Sequence, residues 1–453
     1  MIDIAETGKL ERLLARVGAS LDNYLKFKHD DAYRSVQQWQ SKLNTPLPEQ
    51  GIGIDAITDE LLDQVIAYGS AIPNPGFSSY ITTGATTAST LATTAANIAS
   101  PQRYHLNAFN YLEELSLTWL AQMLGLGQMK GLYSSGGSVA NLVALGAARQ
   151  FAFEQLGLDV AAQGIDRPCR IYASTQSHHT IARASAVLGM GRNAVKLIPC
   201  DQQGRMLPDA LKKALAQDSA NALLPIAIVA NAGTTNTGVI DPINALGEIA
   251  KQHNIWYHVD GAYGLPGILD PRISHLYQGL ALADSIIVDP HKWLGASVGV
   301  AATFVRDRDV LLRAFTQEPA DYLEGSTDQG GQESPVFEHS LDDFGVPYFD
   351  YGVELSSPAR GVAVWALIKE IGVSGMRARV MRHNDMANYL AKFAAAHPHL
   401  ELLAQPVLSI CCFRYIADNI NDLDLLNQQL HRQLIRENIY MPSTTKVNGV
   451  LAL

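Results

Sequence analysis

The stretch Ser285-Ile286-Ile287-Val288-Asp289-Pro290-His291-Lys292-Trp293-Leu294 decides the fold: a short apolar run ends abruptly in a proline-marked polar segment carrying a lysine. Such a run, bounded by turn signals, reads as a strand buried on both faces. Working outward, similar strand candidates lie at 131–133, 170–173, 195–198, 225–230, 255–259 and 300–305, with 285–288 among them. Helical patterns at 139–153, 180–188, 208–216 and 243–253 fall between them. Strands alternating with helices of this length predict an α/β domain on a mainly parallel seven-stranded sheet. Ligands on such sheets sit beyond the C-terminal ends of the strands.

Four of those strand ends carry unusual polar groups. Ser134-Ser135-Gly136-Gly137-Ser138 leads into an Ala/Leu-rich helix, where small residues let backbone N–H groups approach a phosphate at the helix N-terminus. The same run is also ordinary N-cap chemistry. Ser177-His178-His179-Thr180 opens the next helix, a place where histidines are often only caps or surface residues. His258-Val259-Asp260-Gly261-Ala262-Tyr263 ends an apolar strand in a carboxylate, which alone reads equally as a turn aspartate. Lys292, alone, is a solvated loop lysine. Together they fit pyridoxal 5'-phosphate (PLP). That cofactor needs a lysine amine, a carboxylate to keep its pyridine nitrogen protonated, a flat side chain against the ring and a phosphate cradle.

Outside this core, Leu10, Leu13, Leu14, Val17, Leu21, Tyr24 and Leu25 recur at helical spacing, and a second helix is expected around 57–68. Neither helix folds convincingly alone, so both are expected to pack on the body or on a partner subunit. The segment between Phe315 and Tyr351 is rich in Gly, Asp, Glu, Ser and Pro and too long for an ordinary connection, which marks a lid or a disordered loop. Helices at 361–371 and 375–396, then a strand at 407–415, a helix at 423–437 and a strand from Tyr440 onward, suggest a small C-terminal α/β domain. The expected organisation is an N-terminal helical segment 1–72, a large cofactor-binding domain 73–314, a mobile loop 315–350 and a small domain 351–453.

Composition narrows the function classes. Only 17% of the 453 residues are charged while 47% are hydrophobic, so part of the surface is expected to be covered by a second copy. A net charge of -10 argues against a nucleic-acid partner, whose phosphates need clustered Lys and Arg. The four cysteines, Cys169, Cys200, Cys411 and Cys412, show no metal-ligand spacing and no disulfide framework. No basic leader and no apolar run near 20 residues occurs, so the expectation is a cytoplasmic protein without a membrane partner.

The segments Asp289-Pro290-His291-Lys292-Trp293-Leu294, His258-Val259-Asp260-Gly261-Ala262-Tyr263 and Gly233-Thr234-Thr235-Asn236-Thr237-Gly238 make the run 104–371 resemble the group II PLP-dependent decarboxylases, the family of the aromatic-L-amino-acid, glutamate and related decarboxylases. Weaker similarity extends over most of the chain. The resemblance implies fold type I, a homodimer with its site at the subunit interface, an amino-acid substrate and decarboxylation to the amine. It implies Lys292 as the Schiff-base lysine, Asp260 as partner of the pyridine nitrogen, His178 stacked on the ring and Ala262 beneath it. Gly137 and Ser138 would bind the phosphate with His291 nearby, and Thr234 would face the ring oxygen or the substrate. Tyr322 matches a mobile-loop tyrosine implicated in protonating Cα. Arg360 matches an arginine that is structural or contacts the substrate carboxylate.

This chain departs from the family at several points. Asp289 stands where some members have Asn, and an anion there weakens a phosphate contact. In the substrate-pocket segment around Tyr80, Ile81 and Thr82, Ile72 and Ile81 stand where animal aromatic decarboxylases tend to carry aromatic residues. The family's C-terminal domain commonly runs past a strand like Val447-Asn448-Gly449-Val450, so the resemblance implies a longer chain than one ending at Leu453. Two other outcomes keep the same residues: an aldehyde synthase or carbon–carbon lyase on this fold, and a non-catalytic PLP-binding scaffold. Intact Lys292, Asp260 and His178 weigh against the scaffold, and Tyr322 weighs against aldehyde formation.

Overall fold

Ile286, Ile287 and Val288 are fully buried, and each such side chain withdrawn from water stabilises the fold by about 1.5–3 kcal/mol. They belong to β6 of a seven-stranded sheet: β1 (Lys130–Ser134), β2 (Cys169–Ser174), β3 (Val195–Ile198), β4 (Leu224–Asn231), β5 (Trp256–Asp260), β6 (Ser285–Val288) and β7 (Ala301–Val305). The computed structural model describes residues 9–26, 36–82, 84–100, 102, 107–316, 345–418 and 420–453. The spatial order is β1-β7-β6-β5-β4-β2-β3. Neighbours from β3 through β6 pair in parallel, whereas β7 runs antiparallel to both β6 and β1. The expected α/β class and mainly parallel sheet are therefore present, with β7 as the reversed strand.

The chain divides into two units, residues 81–413 and residues 1–80 with 414–453. In the larger unit the helix Gly137–Glu154 packs against β1 and β4 to β7, and its buried Ala140, Ala144, Ala147 and Ala148 permit a close approach. Helices Thr87–Ala99 and Ala108–Met123 fill a stretch in which the sequence pattern shows no element. Thr87–Ala99 carries so much Thr and Ala that its β-branched residues mask the helical period. Both pack on the helical segment Gly361–Ala396, which breaks at Gly372, whose φ of 66° and ψ of 168° suit glycine. The two helices expected on either side of that point are the two arms of this segment.

In the smaller unit the helix Lys9–Leu25 has no buried residue, and Arg12 bonds Asp55 at 2.9 Å. Leu10, Leu14, Leu21 and Leu25 are exposed. The single strand expected from Tyr440 onward is instead a hairpin, Thr445–Val447 paired antiparallel with Val450–Ala452. Asn448 and Gly449 both have positive φ (51° and 84°), the conformation a two-residue turn between right-twisted strands requires. The strand expected over 407–415 is confined to Cys412–Tyr415.

Candidate active site

A cavity of about 420 Å³ opens where β1, β2, β4, β5 and β6 end and β7 begins. Its walls come from the four polar strand ends: Gly137 and Ser138, His178, Asp260 with Ala262, and Asp289 with His291 and Lys292. Strand direction explains the convergence, because each parallel strand delivers its following loop to the same edge. The Gly233 loop reaches the wall because nothing larger fits there. A Cβ on Gly233 would lie 2.7 Å from the Gly264 Cα.

Asp260 is the last residue of β5 and buried. Its Oδ1 accepts from the Ala262 N–H at 3.1 Å and its Oδ2 from Asn141 Nδ2 at 3.0 Å. Ala262 is thereby held beside the carboxylate, with only a methyl group on the cavity wall. His178 is half-buried, and burial, with the neighbouring His179, pushes its imidazole below the usual value. A neutral ring presents a flat face without a charge to desolvate.

Lys292 lies three residues after Asp289, and its Nζ sits 3.1 Å from Asp289 Oδ2. The same oxygen accepts the Gly137 N–H at 3.2 Å. A Cβ on Gly137 would lie 2.7 Å from it, so only glycine fits. Asp289 is buried, its Oδ1 has no hydrogen-bond partner among the described residues, and burial raises its pKa. His291 Nδ1 donates to the Val300 carbonyl at 2.6 Å, while its Nε2 is 3.9 Å from Asp289 Oδ2.

Other expected residues stand elsewhere. Thr234 is buried behind the wall, its hydroxyl bonded to Thr237 Oγ1 (2.9 Å) and accepting the Val239 N–H (3.1 Å), and Thr235 lines the cavity instead. Arg360 pairs through both terminal nitrogens with Glu354 (2.8 and 3.2 Å) and donates through Nε to the Gly299 carbonyl (2.8 Å), so it braces a wall residue and does not line the cavity. Ile81 packs on the core, and neither it nor Thr82 lines the cavity. Tyr80 belongs to the smaller unit, is 80% exposed and has a positive φ of 57°. Tyr322 lies outside the described residues, as does most of the expected loop 315–350. Asn141, Thr180 and Asn231 also stand on the wall, and of these only Thr180 belongs to a motif singled out in the sequence. The signal for Asn141 was present: a polar residue one helical turn after Gly137 in an otherwise Ala/Leu-rich buried helix.

The cavity fits PLP by its own features. The N-cap of the helix Gly137–Glu154 is Gly136, which has no side chain to cap it, the position beside it excludes a Cβ, and an amine and a buried carboxylate open onto the same space. Asp289 on the Gly137 amide is the one feature that opposes an anion.

Comparisons with known proteins agree. The pyridoxal-dependent decarboxylase conserved domain matches residues 37–416. The aromatic-L-amino-acid decarboxylase of Bacillus atrophaeus is 31% identical over 341 residues, which span 74% of this chain and 66% of that protein's length, just under two thirds. The acidic amino acid decarboxylase GADL1 of Xenopus tropicalis is 26% identical over 432 residues, 93% of this chain and 81% of that one. Among solved structures, Catharanthus roseus tryptophan decarboxylase in complex with L-tryptophan superposes with a TM-score of 0.84 at 22% identity, covering 100% of this chain and 94% of its own.

Proposed function

Because this chain belongs to the pyridoxal-dependent decarboxylase family, with PLP as its cofactor, we propose that it converts an L-amino acid to the corresponding amine and carbon dioxide at the cavity described above. The observation that carries this reading is that the Lys292 amine and the Asp260 carboxylate, from different strand ends, open onto one cavity. Lys292 would hold the cofactor covalently through Nζ and give it up to the substrate amine. Asp260 would hold a proton on the pyridine nitrogen, its charge oriented by the Ala262 N–H and the Asn141 amide. The Gly137 and Ser138 amides would take the phosphate, and His178 and Ala262 would close on opposite faces of the ring. Thr235 replaces Thr234 as the cavity-facing threonine in this reading. When bound, the cofactor supplies an electron sink for the pair that the departing carboxylate leaves on Cα. Holding the Cα–carboxylate bond perpendicular to the ring is the orienting task of the walls.

The relatives' names span aromatic and acidic amino acids, and an aromatic substrate is the first to test. Exposed Leu10, Leu14, Leu21 and Leu25 support a homodimer, in which a second copy covers them. Carbon dioxide release from PLP-loaded protein, screened over aromatic, acidic and aliphatic L-amino acids, tests the activity. Release that depends on Lys292, lost in Lys292→Ala, is expected. Release from no amino acid by folded, PLP-loaded protein would refute the reading.

A further inference from the structure

Asp260 and His178 reach the cavity from different strands, yet a single buried amide is bonded towards both. The strand period puts Trp256, His258 and Asp260 on one face of β5, and the β5–β6 register sets Ser285 beside His258. The helix above that face carries Asn141. Its Nδ2 donates to Asp260 Oδ2 (3.0 Å) and Thr180 Oγ1 (3.2 Å), and its Oδ1 is 2.9 Å from His258 Nε2. On one side, His258 Nδ1 lies 2.8 Å from Ser285 Oγ, which accepts the Trp256 indole N–H at 2.8 Å. On the other, Thr180 Oγ1 lies 2.8 Å from His178 Nδ1. Apart from half-buried His178, every member is buried.

The chain has one possible direction. An indole N–H only donates and an ionised carboxylate only accepts. Asp260 fixes the direction because it can only accept the Asn141 NH₂; at the far end the Ser285 oxygen accepts the Trp256 indole N–H and gives its own proton to His258 Nδ1. His258 then carries its own proton on Nε2 and gives it to Asn141 Oδ1, which leaves the amide NH₂ facing Asp260 and Thr180. Thr180, accepting from that NH₂, sends its proton to His178 Nδ1. The Thr180 backbone N–H also points at His178 Nδ1, at 3.4 Å, and a nitrogen that receives two donors is the unprotonated one. Reversing the amide would set two acceptor oxygens, Asn141 Oδ1 and Asp260 Oδ2, 3.0 Å apart in a buried site. Burial pushes His258 down to about 4, so its ring is neutral as the chain requires.

We propose that Asn141 is a positioning residue that sets the tautomers of His258 and His178 together and holds Asp260 as an oriented anion, so that one amide couples the groups facing the two sides of the cofactor. This rests on the roles given above to Asp260 and His178, but its test does not need the cofactor. Around His178 stand His179, Arg183, Lys292 and Asp260, and none of them contacts Nδ1 as Thr180 does.

Full-length protein without cofactor, labelled with ¹⁵N-histidine, reports tautomers through long-range ¹H–¹⁵N correlations. Both rings are expected as the Nε2–H form, and an Nδ1–H form at either ring in the wild type overturns the proposal whatever the variants do. Ser285→Ala should disturb His258 alone. Thr180→Val should disturb His178 alone, raising its titration midpoint by roughly 0.7 pH unit for a lost hydrogen bond of about 1 kcal/mol. Asn141→Ala should bring a second tautomer at His258 and the upward shift at His178 in the same protein. An Asn141→Ala variant that folds and changes only one ring, or neither, refutes the coupling. Loss of carbon dioxide release alone would bear on the decarboxylase reading and leave these spectra as they are.

Discussion

Asp289→Asn removes a buried negative charge from the phosphate end of the cavity while keeping the side chain's shape. Asp289 Oδ2 already occupies the Gly137 N–H at 3.2 Å, so a phosphate taking that amide would stand about 4.5 Å from the carboxylate. At an effective dielectric of about 20, two unit charges at that distance repel by about 3.7 kcal/mol. The protein can avoid this by protonating Asp289, and from its ordinary value of 3.8 that would cost about 4.4 kcal/mol at pH 7. Burial raises the Asp289 pKa, so protonation costs less than that, and the smaller of the two costs is the penalty. We therefore expect Asp289→Asn to bind PLP about 10- to 100-fold more tightly at neutral pH, or about 1.4–2.8 kcal/mol. The sign with pH follows. Wild type takes up a proton on binding, so its affinity falls as pH rises above the Asp289 midpoint, and in the variant this component vanishes. Equilibrium dialysis of apo-protein against PLP and against pyridoxal, from pH 5 to 8, measures both effects. Pyridoxal, without the phosphate, subtracts any gain from releasing Lys292 from its 3.1 Å ion pair. Equal gains for the two ligands, or no gain for PLP, would refute the reasoning.

Borohydride treatment of PLP-saturated protein should fix one pyridoxyl label on Lys292, as peptide mapping will show, and a label on another lysine contradicts the assignment. Asp260→Asn should retain PLP but lower turnover on the order of a hundredfold, from about 3 kcal/mol of lost charged hydrogen bonding at the ring nitrogen; near-normal kcat means another group holds that proton. For Tyr322→Phe, amine yield should fall while aldehyde and peroxide rise, and parallel assays of amine and peroxide decide it. Sedimentation at assay concentration should show a dimer, and an active monomer would leave the exposed leucines of Lys9–Leu25 without their cover.

Much of the sheet was legible because β-strands buried on both faces leave short apolar runs, and β3 and β6 begin and end where those runs do. Periodicity carries no direction, so the reversal of β7 was invisible. Strand ends pointed to the cavity only in combination, since a carboxylate or a lysine after one apolar run is ordinary turn or loop chemistry, whereas four polar strand ends on one parallel sheet meet at one edge. Thr234 and Thr235 show the limit: adjacent polar residues in a loop point to opposite sides, and only the close packing of Gly233 on Gly264 decides which one faces the cavity. Arg360 was legible as a site neighbour but not as the clasp on Glu354 that it forms. Asn141 was hidden in plain composition, because an amide in an alanine-rich helix acquires meaning only once His258, Asp260 and Thr180 stand around it.

The reversal of β7 also sets a ruler inside the molecule. Ala302 pairs with Tyr133 on one side and Val288 on the other, so the glycine loop and the lysine loop leave the sheet two strand spacings apart, about 10 Å. That span is set by backbone hydrogen bonds, which shift by whole residues or not at all. Side-chain exchange along β7 can therefore retune packing without changing the gap. A one-residue insertion within β7 would slide one loop against the other and flip every following side chain. Engineering of this scaffold for a larger or smaller cofactor analogue has room in the two loops, and none in the strand that separates them.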